Sequence, residues 1–153
     1  MGGGFYIDGA PQMQLTVLVV EDDRDTRDSM QFMLEGEGFA VHLAGNGQEA
    51  LTVLRQGLRP CVILLDLSMP IMNGFQFREA QLQDRQLLSI PVVVYSGQYQ
   101  KALNAARLPG VRYFEKPRDL ERLLECFNAY CRKQCTQLTC PAWRETHGSS
   151  DAG

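Results

Sequence analysis

The stretch Cys61-Val62-Ile63-Leu64-Leu65-Asp66 decides the fold. A strand with one solvated face alternates apolar and polar residues, whereas an unbroken apolar run describes a strand covered on both faces. Asp66 then places a carboxylate where the chain leaves the sheet. Working outward, Leu15 to Val20 and Pro91 to Tyr95 are similarly continuous runs. Phe39 to Leu43 and Val111 to Phe114 complete five, and the first of these, with His42 inside it, suits an edge.

The intervening stretches have helical period. Asp25 to Leu34 puts Met30, Met33 and Leu34 on one face and closes near Gly36 and Gly38. Asn46 caps a second helix that carries Ala50, Leu51 and Leu54 and ends at Gly57. Gly74 to Leu82 and Gln98 to Leu108 are shorter, less apolar candidates. Asp119 opens the last helix, with a stripe of Leu120, Leu123, Leu124, Phe127 and Tyr130, and the pattern dissolves after about Gln134. Strands alternating with helices give an α/β architecture, a parallel sheet covered on both faces. The expected organisation is one domain over 14–134, a flexible N-terminal extension over 1–13 and a disordered tail over 135–153.

Composition excludes several function classes. The 153 residues, 44% hydrophobic, suffice for one core. A formal charge of −3 shows no Lys or Arg excess to draw the chain to nucleic acid or an anionic membrane. No run approaches the roughly 20 apolar residues that span a bilayer, and Met1-Gly2-Gly3-Gly4-Phe5 has no signal-peptide character, so a cytoplasmic protein is expected. Five cysteines, an odd number, read as free thiols. Cys126, Cys131, Cys135 and Cys140 lack the paired spacing of zinc ribbons, and only His147 follows as a further ligand type.

In an open α/β sheet the ligand site forms beyond the carboxyl ends of the strands. There the sequence has Glu21-Asp22-Asp23 after the first run, Asp66 after the third, Ser96-Gly97 after the fourth and Lys116-Pro117 after the fifth. Each alone reads as a helix cap or a solvated charge. Together they form one edge with converging carboxylates, whose repulsion calls for a cation. All-oxygen ligands indicate Mg²⁺ or Mn²⁺, and Mg²⁺ is satisfied by one or two carboxylates plus waters and a phosphate oxygen. Asp66, on a rigid central strand, is the nucleophile candidate for an acyl phosphate, with the Lys116 ammonium and the Ser96 hydroxyl as partners of the phosphoryl oxygens.

Val17-Leu18-Val19-Val20-Glu21-Asp22-Asp23, Leu65-Asp66-Leu67-Ser68-Met69-Pro70-Ile71-Met72-Asn73-Gly74, Val94-Tyr95-Ser96-Gly97 and Tyr113-Phe114-Glu115-Lys116-Pro117 resemble, in order and spacing, the receiver domains of two-component response regulators, chemotaxis receivers among them. The resemblance covers roughly Gln14 to Gln134. It implies a flavodoxin-like, doubly wound five-stranded parallel sheet of order 2-1-3-4-5 with five helices. It also implies that Asp66 is the phosphoacceptor and that Asp22 binds Mg²⁺ directly, Glu21 through water and Ser68 through its backbone carbonyl. By the same resemblance Ser96 is the switch hydroxyl, Tyr113 the switch aromatic, and Lys116 the phosphate-binding lysine before a Pro117 that is often cis. Gly97 and Arg118 depart from the usual pattern, where Ala and an aromatic are common.

The function so implied is that of a single-domain response regulator, not a classical enzyme. It is phosphorylated by a sensor histidine kinase or histidine phosphotransfer protein and signals to a downstream protein effector by a change of shape. The expected state is a monomer or a weak dimer through the face of the fourth helix, fifth strand and fifth helix. A haloacid-dehalogenase-type phosphatase wants a second acid two residues after its nucleophile, where this chain has Ser68. A flavodoxin-like cofactor binder or nucleotide hydrolase wants a phosphate-cradling loop, which Glu21-Asp22-Asp23 opposes. The alternative within the family is a pseudo-receiver or scaffold that binds a partner without phosphorylation.

Overall fold

The structure, a computed structural model, describes residues 6–7, 10–11, 15–97, 108 and 110–134. Within the N-terminal stretch, β1 (Tyr6–Ile7) and β2 (Ala10–Pro11) pair antiparallel, apart from the main sheet. The main sheet is formed by β3 (Thr16–Val20), β4 (Ala40–Ala44), β5 (Val62–Leu65), β6 (Val92–Ser96) and β7 (Val111–Glu115). Every pairing is parallel and the order is β4-β3-β5-β6-β7, which is 2-1-3-4-5 when these five strands are counted along the chain. β4, the strand that carries His42, is an edge as expected.

The unbroken apolar runs are explained by two cores, one on each face. Val17, Val19, Val62 and Leu64 point into a layer with Met30, Leu34, Leu123 and Phe127, the inward residues of α1 (Arg24–Gly36) and α4 (Leu120–Gln134). Leu18, Val20, Ile63 and Leu65 point the other way, onto Ala50, Leu51 and Leu54 of α2 (Gly47–Arg55) and Phe77 of α3 (Gly74–Leu82). Successive side chains alternate between the faces, so a central strand covered by helices on both sides has no polar position. Each such side chain stabilises the fold by about 1.5–3 kcal/mol through burial, which holds the central strands rigid where they deliver the site.

Four helices lie among the described residues. The candidate Gln98 to Leu108 falls outside them except for Leu108, as do the tail and its Cys135, Cys140, Trp143 and His147. Asp23, Asn46 and Asn73 accept the amides of Thr26, Glu49 and Gln76 and so cap α1, α2 and α3. The Asn73 cap is reciprocal, since the Gln76 side chain accepts the Asn73 amide at 2.9 Å. Asp119 begins α4 through its carbonyl, which accepts the Leu123 amide at 2.9 Å. Its carboxylate turns back to the Glu115 amide and to Arg118 instead of capping the first turn, and those partners lower its pKa to about 2. Among the described residues no helix is long and apolar enough to cross a membrane.

Candidate acidic phosphoacceptor site

Parallel register brings the strand ends level. Val20 is opposite Leu65, Leu65 opposite Val94, and Ser96 opposite Glu115, so Glu21, Asp66, Ser96 and Lys116 emerge at one edge. Backbone bonds continue the ladder past the last paired residues: the Asp66 amide donates to Val20 O at 3.0 Å, Glu21 to Ala44 O at 3.0 Å and Lys116 to Ser96 O at 3.1 Å. The reactive groups are therefore fixed by the sheet, while their side chains project into the loops beyond it.

Glu21, Asp22 and Asp66 each offer a carboxylate oxygen within 4.8 Å of the others. Glu21 and Asp66 are buried and Asp22 is exposed, so the cluster has one side open to solvent. Lys116 Nζ lies 2.5 Å from Glu21 Oε1 and 3.7 Å from Asp66 Oδ1. Burial, reinforced by the Glu21 charge, pushes the Asp66 carboxyl up to about 6, against the opposing pull of Lys116 and the Leu67 amide. Three carboxylates share one ammonium, which leaves the group short of positive charge. This oxygen-only donor set, with an open side for waters, fits a hard divalent cation of the Mg²⁺ type.

Ser96 is buried, and its Oγ makes no hydrogen bond among the described residues. A buried hydroxyl without a partner is uncommon and marks a site for an incoming acceptor. Next to it, the half-buried Tyr113 donates its hydroxyl to Ser96 O at 2.8 Å. Lys116–Pro117 is cis, as the resemblance implied. Ser68 is half-buried on the loop after Asp66, and Asp23, beyond the acidic pair, serves α1 as its cap.

The contacts that hold this edge together leave little trace in the sequence pattern. The Glu21–Lys116 ion pair joins two clusters 95 positions apart, and nothing in either cluster says which acid takes the lysine. Arg27 Nη1 donates to Glu21 O at 3.0 Å. Its only sequence signal is that it is one of two arginines, with Arg24, on the first turns of the helix that follows the acidic pair. Ile71 takes a positive φ of 68° and is 80% exposed in the Asp66 loop.

Comparison with known proteins agrees with this geometry. Residues 17–128 match the response regulator receiver domain. An uncharacterized 14.6 kDa protein in the sodA1 3′ region of Leptolyngbya boryana is 38% identical over 122 residues, 77% of this chain and 91% of the relative. Protein PilH of Pseudomonas aeruginosa is 34% identical over 115 residues, 74% of this chain and 94% of the relative. The solved structure of the chemotaxis response regulator CheY4 of Vibrio cholerae superposes with a TM-score of 0.66 at 28% identity, covering 76% of this chain and 98% of CheY4.

Proposed function

Because this chain belongs to the response regulator receiver family, we propose that it accepts a phosphoryl group on Asp66 from a sensor histidine kinase or histidine phosphotransfer protein. The observation that carries this reading is the cluster itself: a buried strand-end carboxylate beside two more carboxylates and an ammonium. At neutral pH, above its pKa of about 6, Asp66 is mostly ionised and nucleophilic. Its carboxylate oxygen forms the new bond to phosphorus as the P–N bond of phosphohistidine breaks. The electron pair stays on the imidazole nitrogen. Lys116 is placed to neutralise charge on the transferring group, and the Ser96 hydroxyl to donate to a phosphoryl oxygen. A Mg²⁺ or Mn²⁺ ion held by Asp22, Asp66, the Ser68 carbonyl and, through water, Glu21 would supply the remaining positive charge.

The signalling step follows from the same groups. Phosphorylation adds nearly two negative charges and three acceptor oxygens near the Ser96 hydroxyl, which has no partner among the described residues. Ser96 moves to that acceptor, and its carbonyl, which holds the Tyr113 hydroxyl, moves with it. Tyr113 then turns inward and changes the face of β7 and α4. A coupling of about 2–3 kcal/mol takes the active fraction from a few per cent to a majority, within the range of charge-assisted hydrogen bonds. That face is where a downstream protein effector, or a second copy in a weak dimer, would read the state.

Beryllofluoride with Mg²⁺, an acyl-phosphate mimic, tests the reading. Amide NMR shifts should centre on Asp66, Ser96 and Tyr113 and vanish in Asp66→Asn. The same shifts in Asp66→Asn would sink it.

A further inference from the structure

Asp22 is the exposed member of the acidic cluster and, in the geometry above, the one whose direction is least constrained by packing. Its aim depends on the peptide plane that carries it. That plane also contains the Glu21 carbonyl, because the peptide group joining the two residues is rigid. Arg27, half-buried on the first turns of α1, donates Nη1 to this carbonyl at 3.0 Å. On the other side of Glu21 its amide is held by Ala44 O at 3.0 Å. The residue is therefore pinned at both peptide groups. One pin is the continuing sheet ladder, and the other is a side chain.

The β4–α2 loop is shaped to admit that guanidinium. A Cβ on Gly45 would stand 3.3 Å from Arg27 Nη1 and 3.3 Å from Glu49 Oε1. Glu49 Oε1 in turn accepts the Gly45 amide at 2.7 Å, which fixes the loop in place. Glycine at 45 leaves Arg27 the room to reach over the strand end, and any larger residue there presses on both side chains.

We propose that Arg27 is a positioning residue of the phosphoacceptor site: by clamping the Glu21–Asp22 peptide plane, with Gly45 as its spacer, it aims the Asp22 carboxylate at the divalent cation. The inference rests on the proposed reading of the acidic cluster as a Mg²⁺ site and assigns this chain a residue outside the acidic, hydroxyl and lysine set. Arg27 touches neither the cation nor the phosphoryl group. It acts through the backbone, as groups that orient metal ligands do, and losing such groups typically weakens metal affinity by about 10–100-fold.

The experiment is calorimetric titration of the full chain with MgCl2, paired with thermal melts in EDTA. Arg27→Gln should bind Mg²⁺ about tenfold more weakly than the unsubstituted protein, and Arg27→Lys, which keeps one donor in reach, should recover part of the loss. Gly45→Ala should weaken binding in the same direction without altering any charge. Arg59→Gln is the structural control, because Arg59 Nη1 also donates to backbone carbonyls, those of Leu54 in the last turn of α2 and of Leu58 beyond it. It should lower the melting temperature and leave Mg²⁺ affinity unchanged. Unaltered affinity in Arg27→Gln, with the unsubstituted protein binding Mg²⁺, overturns the role of Arg27 alone. Failure of the unsubstituted protein to bind Mg²⁺ overturns the cation site and this inference with it.

Discussion

Lys116 hydrogen-bonds Glu21 and makes only a longer ion pair with Asp66: its ammonium is 2.5 Å from the Glu21 carboxylate and 3.7 Å from that of Asp66. The lysine thus stands beside Asp66 while bonded to a neighbouring acid. Glu21 raises the Asp66 pKa and Lys116 lowers it, so the two residues bias Asp66 in opposite directions. Glu21→Gln should bring the Asp66 pKa down from about 6, and Lys116→Met should take it higher. Side-chain carboxyl ¹³C titrations in Mg²⁺-free buffer read both. Shifts of the same sign would contradict the arrangement.

A second prediction concerns stability against pH without metal. Folding raises the Asp66 pKa from an ordinary 3.8 to about 6, so between those values the folded state binds more protons than the unfolded state. Stability therefore falls as pH rises from about 4 to about 6, and the loss persists above that. At about 1.4 kcal/mol for each pH unit of raised proton affinity, ionised Asp66 costs roughly 2–3 kcal/mol. In EDTA, Asp66→Asn should be more stable than the unsubstituted protein by that order at pH 7.5 and no more stable at pH 4. Urea denaturation at both values checks it.

How much of this was legible in the sequence differs by element. The central strands were plain, because Val17 to Val20 and Val62 to Leu65 are buried on both faces and carry no polar residue. Their limits shifted by about one residue. The pairing bonds from Ala40 to Leu15 O and from Cys61 to Thr16 O each tie a strand residue to one just outside the regular strands, Leu15 and Cys61, so the apolar runs overshoot by that residue. α3 looked less apolar because Arg78 and Gln81 are buried on its inner side. Gln81 Nε2 donates to Leu87 O and Ile90 O, and Arg78 Nη1 to Gln81 Oε1. Those bonds make burial affordable while erasing the apolar period that would announce it. At the site, the acids, Ser96 and Lys116 could be read because each follows a strand. The Lys116–Glu21 pairing and the Arg27 contact could not, since they depend on where side chains meet across loops.

Ser96 and Tyr113 give a third prediction, with different effects on stability from two small deletions. Ser96→Ala removes a buried hydroxyl that has no partner among the described residues, so the unphosphorylated protein should lose no stability. Tyr113→Phe removes the bond to Ser96 O and should cost about 1 kcal/mol. Both should weaken the response to beryllofluoride at the β7 face. Urea denaturation and NMR together separate these effects, and a large destabilisation by Ser96→Ala would mean its Oγ is not orphaned.

The loop after Asp66 yields a fourth. Ile71 holds a left-handed conformation at φ 68°, which is unfavourable for a β-branched residue by about 1–2 kcal/mol, while its side chain is largely exposed. Ile71→Asn should therefore stabilise the protein by roughly 0.5–1 kcal/mol. Gly74→Ala should do the reverse, because its Cβ would lie 2.5 Å from Asp66 O and 2.9 Å from Leu67 Cα, both backbone atoms. A loss of at least about 2 kcal/mol is expected in denaturant titrations, with Asp66 displaced.

The central claim is that Asp66 forms the acyl phosphate. Incubation with acetyl phosphate and Mg²⁺, followed by borohydride reduction and peptide mass spectrometry, converts an aspartyl phosphate to homoserine and so marks its position. Homoserine is expected at position 66, dependent on Mg²⁺ and lost in Asp66→Asn. Homoserine at another position, or an unmodified Asp66 in protein shown to bind Mg²⁺, would contradict it.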